Sequence, residues 1–459
     1  MRFKQAFQRD FRPWLTDVQA EAAAEVMDAA LAAVEPQAAV GRSVQRHGSQ
    51  LVIGGSELDL DDFRRIKVAA MGKAALAMTC GLLPALADRI TEGVVVCKHQ
   101  DTNAHSQLPQ NVQMVQGNHP VPGEGSLAAG KLLADLLANG DEFDLVICLI
   151  SGGGSALVSL PQTGVSLDDL QVLTHQLLAC GAAIEEINCL RKHLDRIKGG
   201  GLARLAAPAR LVTLVLSDVV GSPLDVIASG PTVADSTSFV DALRILQKYD
   251  LTKSVPAAIL TSLKAGCAGD LPEAPKPGEE VLARVQTTLV ADNYRAARAA
   301  MERARQMGFN AQLMTTFLQG EAREAGGLLA GLLRQVAASS EPLGRPACLV
   351  FGGETTVNLR GQGLGGRNQE LALGAAAGLA GLPDVMLVSL GTDGEDGPTD
   401  AAGAFVTGQT FAAALEKGLS PDAFLAENDS YHFFAEIQGL LMTGPTGTNV
   451  NDLVFLFAF

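Results

Sequence analysis

Short runs of consecutive apolar residues alternate along the chain with longer segments whose apolar positions recur every three or four residues, the patterns of strands and amphipathic helices in turn. In the first half, apolar runs at 66–71, 93–97, 113–116, 144–150 and 211–216 predict strands. Stretches around 73–87, 124–138, 166–179 and 199–206 predict helices between them, and an Ala-rich helix is expected at 16–34 with Thr16 and Asp17 as its caps. The strands are apolar at nearly every position instead of every second one, which a parallel sheet sandwiched between helices requires. A proline- and charge-rich stretch at 270–280 reads as an exposed connection. Beyond it, strands are expected at 285–291, 311–315, 347–351, 385–390 and 453–459, with helices at 294–307, 321–339 and from about 368. The expected fold is therefore α/β in two domains, 1–270 with a parallel sheet covered by helices on both faces and a smaller 281–459, the last strand being a candidate to return to the first domain.

Composition narrows the function. The 459 residues carry 35 Lys and Arg against 50 Asp and Glu, a formal charge of −15, which argues against a nucleic-acid partner. No apolar run approaches the ~20 residues of a membrane span, and no targeting segment is evident, so a cytoplasmic location without a membrane partner is expected. The seven cysteines are odd in number and scattered, which suits reduced thiols, and no Cys/His spacing suggests zinc.

Candidate chemistry lies in the turns that follow apolar runs, the edge at which open α/β sheets bind ligands. Lys73 follows the first, in KVAAMGKAA, and either reaches an anion or is simply solvated. Gly152, Gly153 and Gly154, flanked by Ser151 and Ser155, form a turn whose N–H groups can converge on an anion. Arg191, Lys192, Arg196 and Lys198 make a local basic patch, either an anion site or a solvated helix face. Asp218 ends another apolar run and can hold Mg²⁺, accept a hydroxyl proton or cap a turn; Asp225 reads as structural. In the second half, Gly352, Gly353 and Glu354 follow a strand, and Arg367 and Asn368 stand at a helix threshold after a glycine-dense loop. Arg367 can stabilise charge on a transferring phosphoryl group or pair with Glu370 one turn on. Asp393, Glu395, Asp396 and Asp400 cluster after a strand, as metal ligands or a solvated acidic turn, and the polar turn 442–451 offers Thr446 and Asn449 to a ligand. His119, in a proline-rich turn, contacts substrate or merely bonds backbone; Glu124 and Ser126 start the next helix.

The segments VAAMGKAA, GNHPVPGEGS, LISGGGSAL, SDVVGSPLDVIASGPT, GGETTV, GLGGRNQE, GTDGEDGPTDAAGA and TGPTGTNVND together resemble the glycerate 2-kinase family, in order from about residue 16 to 452. The resemblance implies an N-terminal Rossmann-like domain, a C-terminal MOFRL-type domain and an active site in the cleft between them. It implies ATP-dependent phosphorylation of D-glycerate to 2-phosphoglycerate with Mg²⁺ or Mn²⁺, ATP and D-glycerate being the small-molecule partners. Lys73, Asp218 and Arg367 look like active-site positions, and Asp393 with Asp396 are the metal candidates. Gly152–Gly154, Ser155, Lys198, Gly353, Glu354, Asn368, Thr446 and Asn449 are the expected substrate or nucleotide contacts. Two other classes stay open: an NAD(P)H-dependent hydroxypyruvate reductase, against which the GxGxxG fingerprint is missing, and a non-catalytic sensor of a sugar acid or phosphate. Homo-oligomerisation is left open by the sequence.

Overall fold

A computed structural model describes residues 3–98 and 107–459. The chain divides into two compact units, but not by a single cut near 270–281. The first unit comprises Pro36–Ser217 and Ser222–Val290; the second comprises Ala291–Phe459 together with the N-terminal segment up to Glu35 and the short piece Asp218–Gly221. The helix Asp17–Ala33, with Thr16 and Gln19 forming its capping box, thus belongs with the C-terminal half. Its alanine-rich face is buried, and Glu25 on it pairs with Arg303 of the helix Asn293–Gln306.

The first unit opens with a small antiparallel sheet of β1 (Val44–His47), β2 (Gln50–Ile53) and β3 (Ser56–Asp59). Its main sheet contains β4 (Arg65–Met71), β5 (Ile90–Cys97), β6 (Val112–Gln116), β7 (Asp144–Ile150), β8 (Arg210–Leu216) and β9 (Val285–Ala291), in the order β6-β5-β4-β7-β8-β9. The pairs from β6 through β8 are all parallel. Every residue of β7 is buried, as its unbroken apolar run requires. The strand order runs outward from β4 in one direction and from β7 in the other, so the topological switch point lies between β4 and β7.

The second unit is built on β10 (Asn310–Leu318), β11 (Ala347–Gly353), β12 (Val385–Gly391), β13 (Gly403–Thr407), β14 (Leu440–Leu441) and β15 (Asp452–Ala458), in the order β10-β11-β15-β12-β13-β14. Only β10 and β11 pair in parallel; the rest of the sheet is antiparallel. The last strand does not return to the first domain. β15 lies between β11 and β12 and is buried along its whole length, a central position that suits its apolar sequence on both faces. Among the described residues, no helix is long and apolar enough to cross a membrane.

Candidate active site

At the switch point of the first unit, β4 ends in Gly72–Lys73 and β7 ends in Ser151–Ser155. The two turns are laced together: the Lys73 N–H donates to the Gly152 carbonyl at 2.9 Å, and the Ala74 N–H donates to Ser151 Oγ at 3.0 Å. Gly72, at φ +124°, leaves no room for a side chain, because a Cβ there would fall 2.2 Å from Ser151 Oγ. Gly153 adopts the left-handed conformation at φ +81°, and a Cβ on it would lie 3.0 Å from the His119 ring and 3.4 Å from Lys73 Cγ. The glycine run therefore brings the ammonium-bearing chain of Lys73 and the imidazole of His119, which follows β6, over one turn. Lys73 is exposed and has no carboxylate partner among the described residues. Burial, then the nearby charges of Lys73 and Lys98, hold His119 below its ordinary value, so it stands neutral at pH 7. A neutral ring beside an unpaired ammonium is a setting for an anionic ligand. Ser155 Oγ lies 2.9 Å from Ser229 Oγ, which donates to Asn188 Oδ1 at 3.2 Å.

The basic patch resolves differently. Residues 184–194 form a helix, so Arg191 and Lys192 sit in its last turn and not in a loop. Lys192 is buried against Asp235 at 3.2 Å, with Asp225 at 3.6 Å. Lys198 is buried too: its Nζ is 2.7 Å from Asp195 and donates to the Val158 carbonyl. Lys198, an expected ligand contact, is thus held in an internal ion pair with an acid three residues earlier.

In the second unit, Arg367 opens the helix Arg367–Leu379. It does not pair with Glu370, whose carboxylate is taken by Arg323 and Asn428. Its guanidinium instead grips Asp452 with both prongs, Nε to Oδ2 at 2.5 Å and Nη2 to Oδ1 at 2.9 Å, and turns Nη1 toward Glu354 Oε1 at 3.2 Å. Burial alone would lower the Arg367 guanidinium, but the hydrogen bonds and charge of Asp452, with Glu354 and Asp396, carry it above its ordinary value. Arg367, Glu354, Thr355, Gly365, Gly366 and Asn428 help to line a cavity of about 660 Å³, within the size range of nucleotide and cofactor sites.

Both carboxylate oxygens of Asp396, a metal candidate, are engaged by the start of the helix Arg367–Leu379. Its Oδ1 accepts the Asn368 N–H at 3.1 Å and the Asn368 side chain at 3.2 Å; its Oδ2 accepts the Gln369 N–H at 2.9 Å and the Gln369 side chain at 3.0 Å. It caps the helix from outside, and Gly366 permits this, since a Cβ there would lie 2.3 Å from Asp396 Cγ. Burial, opposed by those donors, pushes Asp396 up to about 6. Asn368 is consumed by the same cap, its Oδ1 accepting from Ser389 Oγ at 2.6 Å. Asp393 is half-buried, one carboxylate oxygen accepting the Glu395 N–H at 3.2 Å. Among the described residues, no three His, Cys, Asp or Glu side chains group as a metal site.

Gly353 lies on β11 at φ +148°, where a Cβ would fall 2.1 Å from the Leu318 carbonyl oxygen, so its glycine serves strand packing. Thr446 is buried and donates to the Thr392 carbonyl at 2.6 Å, and Asn449 Oδ1 accepts the Asn451 N–H at 3.0 Å. Two residues outside the expected set organise this unit. Asp452 positions Arg367. Asn451, at φ +66°, donates through Nδ2 to the Asp218 carbonyl at 2.7 Å and to Glu354 Oε2 at 2.9 Å. An acid at the threshold of a wholly apolar strand was the available signal for Asp452; nothing in the sequence distinguished Asn451 from its polar neighbours.

These units have the makings of an α/β enzyme that handles small anionic substrates. Residues 22–264 match the family described as a domain of unknown function, DUF4147, and residues 347–452 match the MOFRL family. The chain is 43% identical to the D-glycerate 2-kinase of Thermotoga maritima, over 94% of this chain and 96% of that one, and 40% identical to the glycerate 2-kinase of Pyrococcus horikoshii, over 93% and 94%. A crystal structure of the T. maritima glycerate kinase matches it with a TM-score of 0.85 and 41% identity, covering 95% of this chain and 98% of that chain. A protein of Agrobacterium vitis named putative hydroxypyruvate reductase is 38% identical over 93% of this chain and 92% of that one. The chain belongs to the glycerate 2-kinase family.

Proposed function

We propose that the protein transfers the γ-phosphoryl group of ATP to the 2-hydroxyl of D-glycerate. The observation that carries this reading is the guanidinium of Arg367, fixed by a buried carboxylate on the wall of a nucleotide-sized cavity. The substrate is taken from the names of the relatives. Phosphoryl transfer depends chiefly on positioning and on neutralising charge spread over the phosphoryl oxygens, and fixed cations supply both.

In this reading Asp452 sets the plane of the Arg367 fork. The Nη1 side, whose partner is the half-exposed Glu354, turns to the transferring group. Lys73 neutralises phosphate or carboxylate charge over the Gly152–Ser155 turn, and Asp218 accepts the proton leaving the substrate hydroxyl. Asp393 retains one oxygen beyond its contact with Glu395 and supplies the hard carboxylate that Mg²⁺ prefers, alongside phosphate oxygens and water. The bound ion neutralises phosphate charge.

The test is ADP release by the purified protein with ATP, Mg²⁺ and D-glycerate, with an EDTA control and a parallel assay of NADH oxidation by hydroxypyruvate. Metal-dependent ADP release that requires glycerate supports the proposal. NADH oxidation without ADP release would replace it with the reductase that the A. vitis name suggests.

A further inference from the structure

Four cations fall between residues 191 and 198, and three are accounted for: Lys192 and Lys198 in buried ion pairs, and Arg196 in solvent. Arg191 is different. It is half-buried, has no carboxylate partner among the described residues, and burial presses its guanidinium below its ordinary value. An uncompensated, partly desolvated guanidinium is costly unless an anion joins it.

Its surroundings indicate which anion. Arg191 lies one turn beyond Asn188 on the helix Ile184–Leu194, so the two side chains share a face. Asn188 is tied through Ser229 to Ser155, which directs that face toward the glycine turn at the sheet's switch point. Arg191 lines a pocket whose walls are mainly apolar, six leucines and Pro122, with Ser155, Ser159, Gln171, Thr174 and Lys198 among its polar groups, and whose volume is about 30 Å³. That is room for two or so waters, hence for a carboxylate head group and far too little for a nucleotide. Asp195 also lines the pocket, but its charge is met by Lys198 at 2.7 Å, and its oxygens accept from Ser159 Oγ and from the Leu160 and Ile197 N–H groups. The cation left for a ligand is Arg191.

We propose that Arg191 is the residue that binds the carboxylate of the hydroxy-acid substrate, its planar fork pairing with the two carboxylate oxygens. This rests on the kinase reading above for the identity of the substrate, though not for the existence of the subsite.

The test compares wild type, Arg191→Met, Arg191→Lys and the solvent-facing control Arg196→Met in the full chain, with D-glycerate and its neutral analogue D-glyceramide. Arg191→Met should raise the KM for D-glycerate by about 10–100-fold, leave the KM for ATP within about twofold, and erase the preference for glycerate over glyceramide. Arg191→Lys should fall between, and Arg196→Met should match wild type. A merely structural role would not alter the acid-over-amide preference. An unchanged KM for glycerate in both Arg191 variants, or a rise confined to the KM for ATP, would overturn the assignment. Should wild type prove inactive as a kinase, calorimetric titration with D-glycerate alone still decides. Binding that is lost in Arg191→Met upholds the subsite; equal binding to both proteins, or none to wild type, overturns it.

Discussion

Asp452 holds Arg367 by both prongs of its guanidinium, at 2.5 and 2.9 Å, and does so from the first residue of a strand otherwise wholly apolar. Asp452 is buried while about a third of the Arg367 side chain remains exposed, so the carboxylate acts as the fixed anchor and the guanidinium as the group it presents. Replacing Arg367 by Lys keeps the charge and loses the fork; turnover should fall by about 10²–10³-fold while the melting temperature moves little. Asp452→Asn should lower turnover as well, with a stability loss of about 1–3 kcal/mol, less than for a fully buried pair because solvent screens the arginine. Wild-type turnover in Arg367→Lys would remove the arginine from the mechanism.

Lys73 is exposed, so Lys73→Met should leave thermal unfolding nearly unchanged while lowering turnover by orders of magnitude. It also has a signature independent of activity. Part of what keeps His119 below its ordinary value is the Lys73 charge, so the variant should raise the His119 titration midpoint, burial still holding it below the ordinary value. NMR titration of the imidazole reads this directly, and an unmoved midpoint would mean that the two side chains are farther apart than described.

Gly153 permits that proximity. Gly153→Ala places a Cβ at φ +81° and 3.0 Å from the His119 ring, at a cost of about 1–2 kcal/mol for the left-handed backbone alone. Chemical denaturation should show this loss. Turnover should fall roughly ten- to hundredfold as His119 and Lys73 are displaced. A variant as stable and as active as wild type would show that the turn does not hold them.

Asp396 gives a pH prediction of definite sign. Its folded value of about 6 lies above the ordinary 3.8, so the native state binds its proton more tightly than the unfolded chain does. Unfolding therefore releases a proton between about pH 4 and 6, and the stability supplied by the protonated form is lost as pH rises through that window. Between pH 4 and pH 7, wild type should lose roughly 2 kcal/mol relative to Asp396→Asn, which has nothing there to titrate. Denaturant midpoints at the two pH values test this, and parallel pH profiles would contradict it.

Much of the framework was legible because buried parallel strands announce themselves as unbroken apolar runs. The strand Asp144–Ile150 was expected at those bounds, and Arg210–Leu216 differs from its expected range by one residue. The turns after such strands were legible for the same reason: Lys73 and the glycine run stand where β4 and β7 end. Partners distant in sequence were not. Nothing local tells that Asp195 consumes Lys198, that Asp396 reaches back to cap the helix of Arg367, or that residues up to Glu35 pack with the C-terminal half. Nor does composition, which records how many carboxylates the acidic cluster holds, tell that Asp396 among them faces backbone N–H groups.

The position of the phosphoryl group in the product tests the proposed reaction most directly. ³¹P NMR of a reaction containing the protein, ATP, Mg²⁺ and D-glycerate should show 2-phosphoglycerate appearing as ATP is consumed. A product carrying the phosphoryl group at the 3-hydroxyl would contradict the proposed regiochemistry, and the absence of any phosphorylated glycerate would contradict the kinase reading itself.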